Sequence, residues 1–253
     1  MAPSRIALQL YTIRELAMKD MAEALRAVAG IGYRAVELAG FGGLAPPDVK
    51  ALLEQLDLHA LGAHIPYEQW LSDPEAALDD LNVIGCDYAV VPSLPEGLWD
   101  GAGAISSSAA TLNRWGELCR ARGLTFAYHN HAAEFEASHG STTWQALTGS
   151  TDPELVKLEL DAYWARFAGV DPIELLGVHA GRIPLLHVKD MAGDATRADR
   201  PLGDGVMPWA EILEAAEAAG VGSFIVEQDD PQDPLQDSAT SLRHLSGLGV
   251  NGP

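Results

Sequence analysis

The sequence predicts an α/β protein, a single (β/α)8 barrel occupying residues 1–253 as one domain. Three observations predict it. Short apolar runs recur along all 253 residues at intervals of 24 to 40. Each run is followed by a longer stretch with helical periodicity. No Ser/Gly/Pro-rich linker divides the chain. Parallel strands need a crossover of about a dozen residues or more, so this spacing suits eight βα units closed on themselves, the TIM-barrel architecture. An open doubly wound sheet is the rival, but it usually carries a glycine-rich turn after its first strand. Here that strand runs into QLYTIRELA, without a glycine.

The elements follow in order. The first strand is placed at 5–11. Asp20 followed by Glu23 reads as a capping box, and AEALRAVAG supplies the helix before Gly30 and Gly32. Strands at 34–39 and 58–64 come next. Asp73-Pro74 sets an N-cap residue before a proline at the first helical position. The strand at 87–92 contains YAVV, a continuous apolar run expected where both faces are buried. GAGAISSSAA at 101–110 reads as the loosest stretch, a loop with a helix start. Strands at 124–131 and 156–161 follow, then a second cap pair at Asp171-Pro172. Arg182 precedes the strand at 183–189, on the rim away from the strand ends, where a structural role is expected. PLGDGV at 201–206 reads as a turn closing over the site; its backbone could hold an anion, but no Lys follows and no helix starts at once. A helix at 209–220 and a strand at 223–228 complete the eight units, and the tail beyond Gly247 is expected to fray.

Composition narrows the function. Hydrophobic residues make up 47% and charged residues 21%, a globular balance. There are 36 Asp+Glu against 16 Lys+Arg, a formal charge of −20. Such a surface repels polyanions, so neither nucleic acid nor an anionic membrane is an expected partner. Cys86 and Cys119 stand far apart in no metal spacing. No apolar run reaches the roughly 18 residues of a membrane helix, and the N-terminus lacks a signal-peptide core. The expectation is a cytoplasmic protein with a small-molecule partner; the sequence admits a homodimer without specifying one.

In a parallel barrel the active site forms at the C-terminal ends of the strands. The polar residues collect there: Gln9 and Tyr11, Glu37, His64, His129-Asn130-His131, Glu159 and Asp161, His187 and Lys189, Glu227 and Asp229. Alternation puts His129 with His131, Glu159 with Asp161, and His187 with Lys189, each pair on one face. Imidazoles and carboxylates from four adjacent strands form a nitrogen and oxygen donor set suited to a divalent ion. Each residue alone has a plainer reading. A strand-end His is usually just hydrogen-bonded, Asp161 could cap the next helix, and Glu227 could pair with Lys189. Four adjacent strands ending in ligand-type residues favour a metal site.

Those stretches carry a family resemblance. LQLYTIR, GYRAVELAGFGG, LGAHIP, YHNHAAEF, LELDAYWARFAGVDP, GRIPLLHVKDM, PLGDGVMPW and FIVEQD together resemble the sugar phosphate isomerase/epimerase family. These are xylose isomerase-like TIM barrels related to tagatose epimerase, inosose dehydratase and endonuclease IV. The resemblance covers almost the whole chain. It implies one divalent metal ion, Mn²⁺ first, with Zn²⁺, Co²⁺, Fe²⁺ or Mg²⁺ as alternatives. Asp161, His187 and Glu227 match ligand positions. On strand five the family epimerases carry Glu, where this chain has His129; His131 shares its face, and Glu134 could reach in from the loop.

The implied chemistry is proton abstraction next to a carbonyl of a keto-sugar or polyol, in carbohydrate metabolism. Isomerisation or epimerisation is the first expectation. A dehydratase or lyase acting on a keto-inositol or 3-keto sugar is the alternative, because the strand-five substitution leaves unlike groups on the two faces of the substrate. Glu227, His129 and His131 are the candidate acid–base groups, and Lys189 a candidate oxyanion stabiliser, with an ion pair to Glu159 or Asp190 as its plain reading. Gln9, Glu37, His64 and Trp164 are candidate substrate contacts; Trp99 is a weaker one. Few cations fall at the expected mouth, which favours a substrate without phosphate. A DNA phosphoesterase would need three metals and a basic face. An inactive sugar-binding barrel is the remaining alternative.

Overall fold

A computed structural model describes residues 5–95, 97–138 and 141–250. Eight parallel strands close into a barrel: β1 Ile6–Gln9, β2 Ala35–Leu38, β3 His59–His64, β4 Tyr88–Val91, β5 Thr125–His129, β6 Lys157–Asp161, β7 Leu185–Val188 and β8 Ser223–Val226. Each strand pairs with its neighbours in sequence, and β1 closes on β8. Every strand lies within its predicted run, shorter by one or two residues at most ends, because ladder hydrogen bonds stop before the apolar run does. Helices follow the strands and surround the barrel. Two two-residue hairpins, Ala137–Ser138 with Ser141–Thr142 and Asp190–Met191 with Asp199–Arg200, are additions on the loops. No helix among the described residues is long and apolar enough to cross a membrane.

The barrel interior is layered, and the layering positions the site. The lower layer is apolar: Ala7, Ala35, Leu61, Val90, Ala127, Leu185 and Ile225 form a cluster of their own inside the sheet. Two residues further along several strands, the same inward face becomes ionisable. Register then fixes the neighbours. Gln9 pairs with Glu37, His129 with Glu159, and Asp161 with His187. A shift between Val36 and Glu37 interrupts the β2–β3 ladder, and Gly62 stands opposite Glu37. A Cβ on Gly62 would lie 3.1 Å from the Tyr88 Cβ and 3.3 Å from Glu37 Oε1, so a side chain there would crowd that carboxylate.

Three expectations change. Residues 101–110 are not loose: the helix Ala102–Ala121 begins directly after Gly101. Ser108 anchors it by donating to Leu98 O (2.7 Å), and Ala109 and Leu112 are buried. The Asp20–Glu23 capping box is half formed. Asp20 accepts from Glu23 N, but Asp20 N bonds Leu16 O and Glu23 pairs with Arg26. Both halves of a box occur instead at Thr142 and Gln145. The tail does not fray at once, since Val250 is buried; residues 251–253 lie outside the described residues. The Asp73 and Asp171 caps form as read.

Candidate metal and active site

The ionisable floor of the barrel is buried. Glu37, Glu159, Asp161, His187 and Lys189 are at most 1% exposed, and His129 and Glu227 at most 5%. So many buried charges persist only where each finds an opposite partner. His187 is the hub. Its Nδ1 lies 2.9 Å from Glu227 Oε2, and its Nε2 lies 2.9 Å from Glu37 Oε2 and 3.4 Å from Glu159 Oε2. His64 Nε2 sits 2.8 Å from Glu159 Oε2 and 3.3 Å from Glu37 Oε2. Lys189 Nζ stands 3.0 Å from Asp161 Oδ2, 2.7 Å from Glu227 Oε2 and 2.8 Å from Asp229 Oδ2. Its partners are thus Asp161, Glu227 and Asp229, not Glu159 or Asp190.

These pairings set the protonation of the floor. Burial opposes the charge of His187, but Glu159 and Glu227 outweigh it and hold the imidazole well above its ordinary range. Burial likewise opposes His64, and Glu37 with Glu159 push it up to about 10. Burial and the neighbouring His187 instead hold His129 well below the usual value, leaving it neutral. His131 is lowered by burial, with Lys189 adding to the effect and Glu134 opposing it. Burial raises Asp161 to about 6 against the pull of Lys189 and His187. Glu227 is held well below the carboxylate range, because Lys189 and His187 overcome its burial.

His129, Asp161, His187 and Glu227 each offer a donor atom, all within 4.8 Å of one another. Bonds of about 2.0–2.2 Å to a common ion place donors at similar separations. Four buried carboxylate or imidazole atoms of the floor lack a hydrogen bond: Asp161 Oδ2, His129 Nδ1, Glu37 Oε1 and Glu159 Oε1. His129 Nδ1 lies 3.0 Å from Glu159 Oε2. Orphaned donors of this type fit a cation. A second grouping, His64, His129, Glu159 and His187, overlaps the first. The first supplies two carboxylates rather than one and so balances a divalent ion.

The floor opens into a cleft of about 730 Å³ bordered by His64, His129, His131, Glu227 and Asp229. Gln9 and Glu37 lie beneath it. Gln9 is wholly buried, accepting from Tyr11 N and donating to Glu37 Oε2. Trp164 stands behind His131, with ring centres 5.8 Å apart, and Trp99 packs against the core. Glu134 does not reach in, because Tyr128 OH (2.8 Å) and His131 N (3.0 Å) occupy its carboxylate. Asp161 also caps the helix Ala162–Phe167 by accepting from Trp164 N. Asn130 grips the Asp161 backbone on both sides, accepting from its N–H and donating to its C=O.

Two other readings find their explanation. The 201–206 loop does hold an anion, but that anion is the chain's own Asp190, which accepts from Gly203 N (3.0 Å) and Met207 N (2.9 Å). Arg182 staples the opposite rim by donating to Thr148 O, Val156 O and Thr151 Oγ1. Sequence reasoning passed over the central position of Glu159, the Asp229 partner of Lys189, and the Asn130 clamp. Glu159 was findable, since it shares the inward face of Asp161 two residues earlier.

Comparison with known proteins bears on the fold and the family. Residues 25–247 match the family model described as a xylose isomerase-like TIM barrel. An inosose dehydratase of Geobacillus kaustophilus (strain HTA426) is 27% identical over 252 residues, covering 91% of this chain and 77% of that protein. The crystal structure of a sugar phosphate isomerase/epimerase from Parabacteroides distasonis ATCC 8503 superposes with a TM-score of 0.83 at 24% identity, covering 99% of this chain and 96% of that one. An IOLI protein solved with a zinc atom superposes with a TM-score of 0.76 at 13% identity, covering 96% and 97%. With most of its length matched by the family model, the chain belongs to the xylose isomerase-like TIM barrel family.

Proposed function

We propose that the protein is a metal-dependent dehydratase of an unphosphorylated keto-cyclitol or keto-sugar, removing a proton beside a carbonyl and expelling the neighbouring hydroxyl as water. One observation carries the reading: a neutral imidazole, His131, and an ionised carboxylate, Glu227, both border the cleft above the donor set. Matched carboxylates would suit the reversible exchange of an epimerase, and here the two groups differ. The inosose dehydratase relative, aligned over most of this chain, supports the same choice. No Lys or Arg borders the cleft among the described residues, which supports a substrate without phosphate.

His129, Asp161, His187 and Glu227 would hold the ion. Two imidazoles and two carboxylates suit Mn²⁺, and the zinc of the IOLI protein supports Zn²⁺ as the competing choice. When bound, a divalent ion supplies Lewis-acid polarisation of the substrate carbonyl. The residues of the chain do the rest. His131, neutral at neutral pH, accepts the carbon-bound proton; the electron pair forms the C=C bond as the C–O bond breaks. The imidazolium returns that proton to the departing hydroxyl, giving water. Lys189, held cationic by its three carboxylates, keeps Glu227 and Asp161 ionised. His64 at the cleft wall offers a donor to a ring hydroxyl.

Inososes incubated with metal-loaded protein in D₂O test this. Dehydration gives a product lighter by one water. Recovery of sugar one mass unit heavier than substrate, with deuterium on carbon and no water lost, would mean epimerisation instead, with Glu227 as the second base. His131→Gln should abolish turnover while leaving metal content unchanged.

A further inference from the structure

The cleft has two unlike ends. Its inner end is the ionisable floor. Its outer arm runs over the loops after β2, β3 and β4 and is walled by Phe41, Leu44, Ile65, Pro66, Leu81 and Pro92. Polar side chains in that arm are sparse: Gln69 and Asp80, with Tyr11 at the mouth. Arg14 fixes Tyr11 there, its guanidinium 4.3 Å from the ring centre and its Nη1 donating to Tyr11 O.

A polyhydroxylated ring presents a hydroxyl at nearly every carbon. Each hydroxyl that leaves water without a new partner costs about 1–3 kcal/mol. The floor can satisfy such a ring, and the arm cannot. The volume of about 730 Å³ lies within the range of roughly 300–1,000 Å³ that encloses drug-sized ligands. A bare six-membered ring would leave the apolar arm to water.

We infer that the substrate is a keto-ring carrying an apolar substituent, most simply an aromatic aglycone, with the ring on the ionisable floor and the substituent against Phe41 and Leu44. This rests on the keto-sugar reading above and adds to it the substrate class. The continuity of the arm with the floor carries the inference, since a substituent on a ring bound at the floor meets these apolar walls directly.

Calorimetric titration of the Mn²⁺-loaded protein with 3-keto-glucose, phenyl 3-keto-β-glucoside and phenyl β-glucoside tests it. The phenyl 3-keto-β-glucoside should bind roughly tenfold or more tighter than 3-keto-glucose, the scale on which apolar pockets discriminate. Phe41→Ala should remove most of that difference, with metal content and circular dichroism reporting an intact fold. Equal or tighter binding of bare 3-keto-glucose would overturn the inference and leave the keto-sugar reading standing. If phenyl β-glucoside, which lacks the ketone, binds as well as its keto counterpart, or if no compound binds, the keto-sugar reading fails and the inference with it.

Discussion

Asp161 divides its work between two oxygens: Oδ1 caps a helix by accepting from Trp164 N, and Oδ2 stands 3.0 Å from Lys189 Nζ without a hydrogen bond. Asp161→Asn keeps an oxygen for the cap and removes the charge. Asp161→Ala removes both and should cost about 1 kcal/mol more in stability, the usual worth of an N-cap. Both variants should lose stoichiometric metal by elemental analysis, and full occupancy in either removes Asp161 from the ligand set. His187 shows how metal uptake depends on pH. Its raised value leaves it protonated at neutral pH in the metal-free protein. A ligating imidazole must be neutral, so uptake releases a proton, and affinity should rise about tenfold per pH unit while His187 starts protonated. Below about pH 6 protonation of Asp161 should steepen the loss. Titrations between pH 6 and 8 in buffers of different ionisation enthalpy count the protons, and a count of zero would exclude His187. Glu37 grips the Nε2 side of that ring. Glu37→Gln keeps the shape but removes the charge that orients the ligand, and metal affinity should fall about 10–100-fold in a competition titration. The positions of Asp161, His187 and Glu227 at the barrel mouth were legible in the sequence because they lie at or beside strand ends. Glu37 and Glu159 were less so, because inward register alone does not reveal how deep a side chain lies.

At the scale of elements, the strands were legible because both faces of a parallel barrel are buried, which writes a continuous apolar run into the sequence. The two-residue hairpins were not, since two residues show no periodicity. The helix Ala102–Ala121 was hidden by its serines and glycines, although one of those glycines is indispensable to packing. Gly116 faces the backbone of Leu155; a Cβ there would collide with Leu155 O and lie 3.0 Å from Leu155 Cβ. Gly116→Ala should therefore destabilise the fold by about 1–3 kcal/mol despite the better helix propensity of alanine. Thermal denaturation of that variant would show a melting temperature at or above wild type if the approach of the helix to residue 155 is looser than described. The loop holding Asp190 follows a similar logic. A buried carboxylate that accepts Gly203, Met207 and Met191 N–H groups takes the place of a phosphate, so a glycine-containing loop need not signal a ligand.

For the whole molecule, the formal charge of −20 and the buried floor act on different terms. Surface repulsion is screened by salt, whereas the buried charges of the floor are screened much less. Salt should therefore raise the melting temperature modestly without changing metal affinity by a similar factor. Metal itself acts through mass action. An ion that binds only the folded state adds RT ln(1 + [L]/Kd), about 2.7 kcal/mol at a hundred times Kd. For a chain of this size about 1 kcal/mol moves the melting temperature by roughly 2–4 °C. Chelation followed by Mn²⁺ at that excess should thus raise the melting temperature by roughly 5–11 °C. The same addition to Asp161→Asn should produce a much smaller shift, because only one of the two carboxylate ligands, Glu227, then remains charged. If that variant responds as fully as wild type, the stabilising ion sits elsewhere on this acidic surface, and the barrel floor is held by its internal ion pairs alone.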